Sequence, residues 1–109
     1  MKRSLMLFLL IPSAVFAAQY NISIPTDSRA TYTVIQKGSQ GVLKTIVTKR
    51  EGSSGTTFSE RLYDCENGTV KYIGTGDTIE QMRSSSPDPN MSPVVDKSIA
   101  FYIGKEACK

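Results

Sequence analysis

Between residues 20 and 73 short runs of alternating, β-branched and aromatic residues are separated by Gly- and Ser-rich turns, the pattern of successive strands. Tyr20, Ile22 and Ile24 alternate with Asn21 and Ser23 and stop at Pro25. A polar loop through Asp27 and Ser28 follows, and Ala30 to Gln36, rich in β-branched and aromatic residues, predicts a second strand. Lys37 to Gly41 predicts a turn. Val42 to Lys49 predicts a third strand, with Val42, Leu43, Ile46 and Val47 as core candidates. Glu51 to Gly55 predicts another turn. Thr56 to Cys65 predicts a fourth strand, with Phe58 and Leu62 on one face and Tyr63 and Cys65 on the other. Asn67-Gly68 accepts the positive φ angles of a type I′ turn, so residues 56–73 read as a hairpin with Thr69 to Ile73 as its return strand.

The pattern then changes. Asp77-Thr78-Ile79-Glu80 has the spacing of a capping box and predicts a short helix or helical turn. Ser84 to Pro93 holds three prolines and four serines and predicts a loop. Val95, Ile99, Tyr102, Ile103 and Ala107 recur at helical spacing, which predicts an amphipathic helix from Asp96 to about Ala107. Gly104 inside it costs about 1 kcal/mol against Ala. Strands first and helix last is the order of an α+β domain. The expected fold is a small antiparallel sheet of about five strands, covered by a C-terminal helix.

The first seventeen residues follow neither pattern. Lys2 and Arg3 precede an apolar run, Leu5 to Phe16, broken only by Pro12 and Ser13. Val15 and Ala17 stand where a signal peptidase takes small residues. Residues 1–17 therefore read as a secretory signal peptide that is removed, and residues 18–109 as one exported domain. The expected location is the periplasm, or the cell surface or medium after export. No second apolar run approaches the length of a membrane span, so no membrane insertion is expected after cleavage.

Composition then excludes more than it assigns. The full chain has thirteen basic and ten acidic residues, but two of the basic ones belong to the leader. The exported domain is nearly neutral, and a nucleic-acid partner is not expected. Lys44, Lys49 and Arg50 form a small basic cluster, whose plainer reading is a solvated strand end and turn. The two cysteines, Cys65 and Cys108, read as a disulfide in an oxidising compartment. The alternatives are two free thiols or a metal pair. With no histidine in the chain, two thiolates alone would not complete a zinc shell.

Catalytic chemistry finds few candidates. Without histidine there is no histidine-based triad or general base, and no cofactor motif occurs. Asp64 and Glu66 flank Cys65 as a paired carboxylate, or as two solvated acids at a strand end. Gly74-Thr75-Gly76 before a helix invites a phosphate-loop reading but lacks the lysine and the spacing, and reads as a strand-to-helix turn. Asn21, Asn67 and Asn90 each begin an N-x-S/T triplet, which matters only in a eukaryotic secretory pathway.

The second half resembles the surface-adhesin protein E-like family of Gram-negative exported proteins. The resemblance is carried by Leu62-Tyr63-Asp64-Cys65, Ser86-Pro87-Asp88-Pro89, Ser92-Pro93-Val94-Val95, Ser98-Ile99-Ala100 and Ala107-Cys108-Lys109, over about the last 50 residues. It implies an antiparallel sheet, a C-terminal helix, a Cys65–Cys108 bridge and an adhesin-like role. The chain departs from the family in lacking a tryptophan near the mature start and a lipid-anchor cysteine.

The function expected is that of a small disulfide-bonded binding protein of the bacterial envelope, acting on a protein or other macromolecule and not as an enzyme. The alternative is an inhibitor or immunity-type protein that blocks an envelope or secreted enzyme. Contact is expected either at the basic residues Lys44, Lys49 and Arg50 or at Asp88 and Asn90 in the proline-rich loop.

Overall fold

The computed structural model describes residues 19–109. The expected signal peptide, residues 1–17, lies outside the described residues. The fold is a six-stranded antiparallel sheet in sequential order, one strand more than expected. Its strands are β1 (Tyr20–Ile22), β2 (Thr31–Gln40), β3 (Leu43–Gly52), β4 (Gly55–Asp64), β5 (Thr69–Gly76) and β6 (Ser92–Pro93). A short helix α1 (Ile79–Ser84) follows β5, and α2 (Ile99–Ala107) closes the chain. The additional strand lies inside the proline-rich stretch, where Ser92 and Pro93 pair with Val70 and Thr69 at a sheet edge. Pro93 is tolerated there because an edge strand need not donate on its outer side.

Two predicted turns are shorter than expected. Lys37 to Gln40 pair with Ile46 to Leu43, so the β2–β3 turn is Gly41-Val42 alone. Val42 sits at its tip, 84% exposed, and is not a core residue. Gly52 likewise pairs with Gly55, leaving only Ser53-Ser54 between β3 and β4. Polar residues continued both ladders, and a hydrophobic pattern does not register them.

The hairpin at residues 56–73 is present, but its turn is not type I′. Asp64 Oδ1 accepts the N–H groups of Glu66 at 3.2 Å and Asn67 at 3.1 Å, and Oδ2 accepts Asn67 Nδ2 at 2.8 Å. Only Gly68 takes a positive φ, 67°, and its N–H closes on the Asp64 carbonyl at 2.8 Å. This side-chain cap stabilises a four-residue loop. It also carries Cys65 out of the strand and into the loop.

The register sorts side chains onto two faces. Tyr63, Arg61 and Ser59 of β4 lie opposite Lys44, Ile46 and Thr48 of β3, and so share a face with them. α2 covers this face. Tyr32, Val34, Ile46 and Tyr63 pack there with Ile24, Ile103 and Ala107 as the main core. Val47 and Leu62 are buried on the other face, where α1 seats Met82. Gly74 points to that second face, and a Cβ on it would collide with the Met82 carbonyl. The Gly74-Thr75-Gly76 segment, expected as a strand-to-helix turn, is thus the paired end of β5 with a helix pressed onto it.

Both helices start later than expected. Thr78, not Asp77, caps α1 by accepting the Gln81 N–H at 3.1 Å, and Gln81 Oε1 accepts the Asp77 N–H at 2.9 Å. α2 starts at Ile99, not Asp96. Lys97 has φ 63°, outside the helical region, and Ser98 Oγ accepts the Phe101 N–H at 3.1 Å. Val95 therefore precedes the helix and is 68% exposed.

Cys65 and Cys108 are bonded, with Cα atoms 5.8 Å apart. The bridge ties the residue after α2 to the loop after β4. No helix among the described residues is long and apolar enough to cross a membrane.

Candidate functional site

Three polar residues are buried in the sheet among the described residues, Thr48, Ser59 and Arg61. All lie on the face that carries α2. Arg61 stands between Ser59 and Tyr63 on the inward side of β4, opposite Ile46 on β3 and Tyr72 on β5. It is 7% exposed. Its guanidinium lies 4.7 Å from the centre of the Tyr72 ring. Nη2 donates to the Tyr72 hydroxyl at 2.9 Å, and Nη1 reaches Thr48 Oγ1 at 3.4 Å. Both acceptors are neutral, and no carboxylate among the described residues lies within ion-pair distance.

A buried guanidinium normally has a carboxylate partner, because removing an unpaired charge from water costs several kcal/mol. Stacking on Tyr72 offsets only part of that cost. A guanidinium has five N–H donors, and two of Arg61's hydrogen bonds are accounted for.

The neighbouring arginine is paired. Arg50 Nε donates to Asp27 Oδ2 at 2.7 Å, Nη2 donates to Oδ1 at 3.3 Å, and the Tyr32 hydroxyl donates to Oδ2 at 2.6 Å. The Arg50 bonds, then the Tyr32 bond, hold the Asp27 carboxyl below the usual carboxylate range. Burial, reinforced by the bond to Asp27, pushes the Tyr32 hydroxyl up to about 12. Arg50 is thus neutralised in place, and Arg61 is not.

Two clefts meet at Arg61. An inner cleft of about 170 Å³ lies between Arg50 and Arg61 and is lined mainly by the hydroxyl-bearing residues Tyr32, Thr48, Thr57, Ser59, Tyr72 and Thr75, with Ile99 as its one apolar wall residue. An outer cleft of about 270 Å³ runs from Arg61 past Val70 and Tyr72 to Ile99 and Ala100, with Lys71 and Asp88 also in its wall. Ile99 and Ala100 open α2. The first N–H groups of a helix have no intrahelical acceptor and give its N-terminus a partial positive charge. The arrangement therefore offers one uncompensated cation, a ring of hydroxyl groups and a helix N-terminus, which together favour an anionic group.

A larger cleft of about 380 Å³ lies beside the disulfide, against Tyr63, Val94 and Phe101. Its charged wall residues, Asp64, Asp96 and Lys105, are exposed or half-exposed. It contains no buried charge to direct a ligand, so the smaller clefts at Arg61 make the better candidate site.

The residues singled out from sequence fall in different places. Lys44 and Arg50 share the α2 face but stand six residues apart on β3, a separation of about 20 Å. Lys49 points to the opposite face and pairs with Glu51 at 3.6 Å. β3 is an interior strand, so these three residues do not form one basic edge. Asp88 is brought to the outer cleft, and its N–H donates to the Tyr72 carbonyl at 3.0 Å. Asn90 stays exposed on the loop. The Asp64 carboxylate is occupied in capping its own turn, and the bonds from Asn67 lower its pKa. Among the described residues no three His, Cys, Asp or Glu side chains gather as a metal site.

Arg61 was not among those residues, yet its signal was present. The two-residue period that turns Tyr63 inward turns Arg61 inward as well, and a charge at an inward strand position asks for a reason. Comparison with protein-family models, curated proteins and solved structures gives no match.

Proposed function

We propose that this chain is an exported, disulfide-stabilised binding domain of the bacterial envelope that acts by contact with a macromolecular partner and without turnover. The observation that carries the reading is the buried Arg61 guanidinium, left without a counter-charge at the junction of two open clefts. Such a group is costly to keep for stability alone and useful for holding a ligand. The cleft supplies hydrogen-bond donors and a fixed cation. Asp88 in the outer wall is exposed and outside ion-pair distance of Arg61, and the Asp27 carboxylate already accepts bonds from Arg50 and Tyr32.

Export and an adhesin-like role rest on the leader sequence and on the resemblance of residues 60–109 to the surface-adhesin protein E-like family. The Cys65–Cys108 bond fits an oxidising compartment. The alternative of an inhibitor would use the proline-rich loop as a projecting wedge. That loop is tied to β5 through Asp88 and through the β6 pairing, which favours the cleft as the contact.

The test is a pull-down with the oxidised protein from envelope extract and, separately, from host matrix proteins, followed by N-terminal sequencing of the chain recovered from the producing cell. A saturable partner and a chain beginning at Ala18 or Gln19 are expected. A soluble chain that retains Met1 would remove the export half of the proposal. A purified protein that turns over a substrate would remove the other half.

A further inference from the structure

We infer that the Arg61 cleft binds one carboxylate group carried on a short apolar stem. This rests on the reading of the chain as a binding domain and names the ligand chemistry of that site.

Charge, geometry and space point the same way. The cleft has a single buried cation without a counter-charge and a net charge of one, because Arg50 is bound to Asp27 and the outer wall adds one solvent-accessible residue of each sign, Lys71 and Asp88. One cation balances a carboxylate and leaves a phosphate dianion with excess charge. The guanidinium presents a planar fork of N–H donors, a shape that matches the two oxygens of a carboxylate. Its two protein acceptors are the hydroxyls of Thr48 and Tyr72, which leave donors over. The hydroxyl-bearing inner cleft, about 170 Å³, suits the polar head. The outer cleft, about 270 Å³, presents Val70, Ile99 and Ala100 to an apolar stem. A free organic acid and an acidic side chain of a partner protein share this chemistry.

The experiment is a titration of the ¹⁵N-labelled, oxidised protein, following the Arg61 Nε–H resonance and the backbone amide resonances of Tyr72 and Ala100, which remain when Arg61 is replaced. The probes are hexanoate, a peptide blocked at both ends with glutamate as its only charged residue, and inorganic phosphate. A saturable shift with hexanoate alone identifies a free acid, and a shift with the peptide identifies a side chain; either supports the site. Phosphate binding as tightly as the better carboxylate, or no saturable shift with any probe, overturns it. Arg61→Met should weaken carboxylate binding at least tenfold while its melting temperature stays within a few degrees, since no ion pair is lost. A collapse of stability in that variant would assign Arg61 to the fold and overturn the proposal unless Ser59→Ala, which keeps the guanidinium, also weakens binding severalfold. A partner captured equally well by the Arg61→Met protein leaves the binding-domain reading standing and overturns the carboxylate site. A saturating carboxylate titration with no partner captured does the reverse.

Discussion

Gly104 of α2 lies against the ring of Tyr63, so close that a Cβ on Gly104 would stand 2.7 Å from Tyr63 Cε1. The ring cannot retreat. It is 2% exposed, and its hydroxyl donates to the Ala100 carbonyl at 2.6 Å, one helical turn earlier. The helix therefore docks on the sheet through a glycine and a tyrosine that fit each other. The glycine that weakens the isolated helix allows the close approach.

Gly104→Ala should accordingly lower stability by about 1 kcal/mol, because overpacking against a fixed ring outweighs the gain in helix propensity. Thermal unfolding checks it. A rise in melting temperature would mean that the ring is not seated on the helix.

Cys65→Ser or Cys108→Ser should cost roughly 2–5 kcal/mol. The bond spans 43 residues in sequence, and it joins the end of α2 to the β4–β5 loop. Alkylation of the folded, unreduced protein followed by intact mass should find no free thiol, and denaturant titration of the variants measures the loss.

Acid should destabilise the protein partly through Asp27. Its carboxyl is held below the usual range, first by the Arg50 bonds and then by the Tyr32 bond. A carboxyl lowered in the folded state contributes stability that is complete above its unfolded value, near pH 4, and is lost as pH falls through the folded value. Asp27→Asn should flatten the melting-temperature profile below about pH 4 and lower its plateau near neutrality. An unchanged slope in that acid range would show that the Arg50–Asp27 pair is not linked to folding.

Lys49 and Arg50 are neighbours in sequence and should respond differently to charge reversal. Lys49→Glu alters a half-exposed pair on one face and should leave the melting temperature nearly unchanged. Arg50→Glu sets a second carboxylate against Asp27 on the other face and should lower it clearly. Equal effects of the two changes would contradict the register of β3.

Much of the architecture was legible along the chain, because alternation and helical spacing are local properties. Strands at Tyr20–Ile22, Ile46–Val47 and Phe58–Tyr63, and the helical face of Ile99, Ile103 and Ala107, follow from which residues must leave water. The even cysteine count pointed to the bridge through composition alone. Element ends were less legible. Val42 and Val95 read as core, but backbone pairing and the Ser98 cap placed them outside it. The site was hardly legible. Lys49 and Arg50, adjacent in the chain, face opposite ways, whereas Arg61, Tyr72, Thr48 and Asp88 come from separate segments and line two clefts that meet at Arg61. Hydrophobic periodicity determines which side of an element is buried, and so it settled the fold class. Which strands become neighbours, and in what register, is decided only when the sheet closes and α2 docks. That step alone left Arg61 buried without a counter-charge.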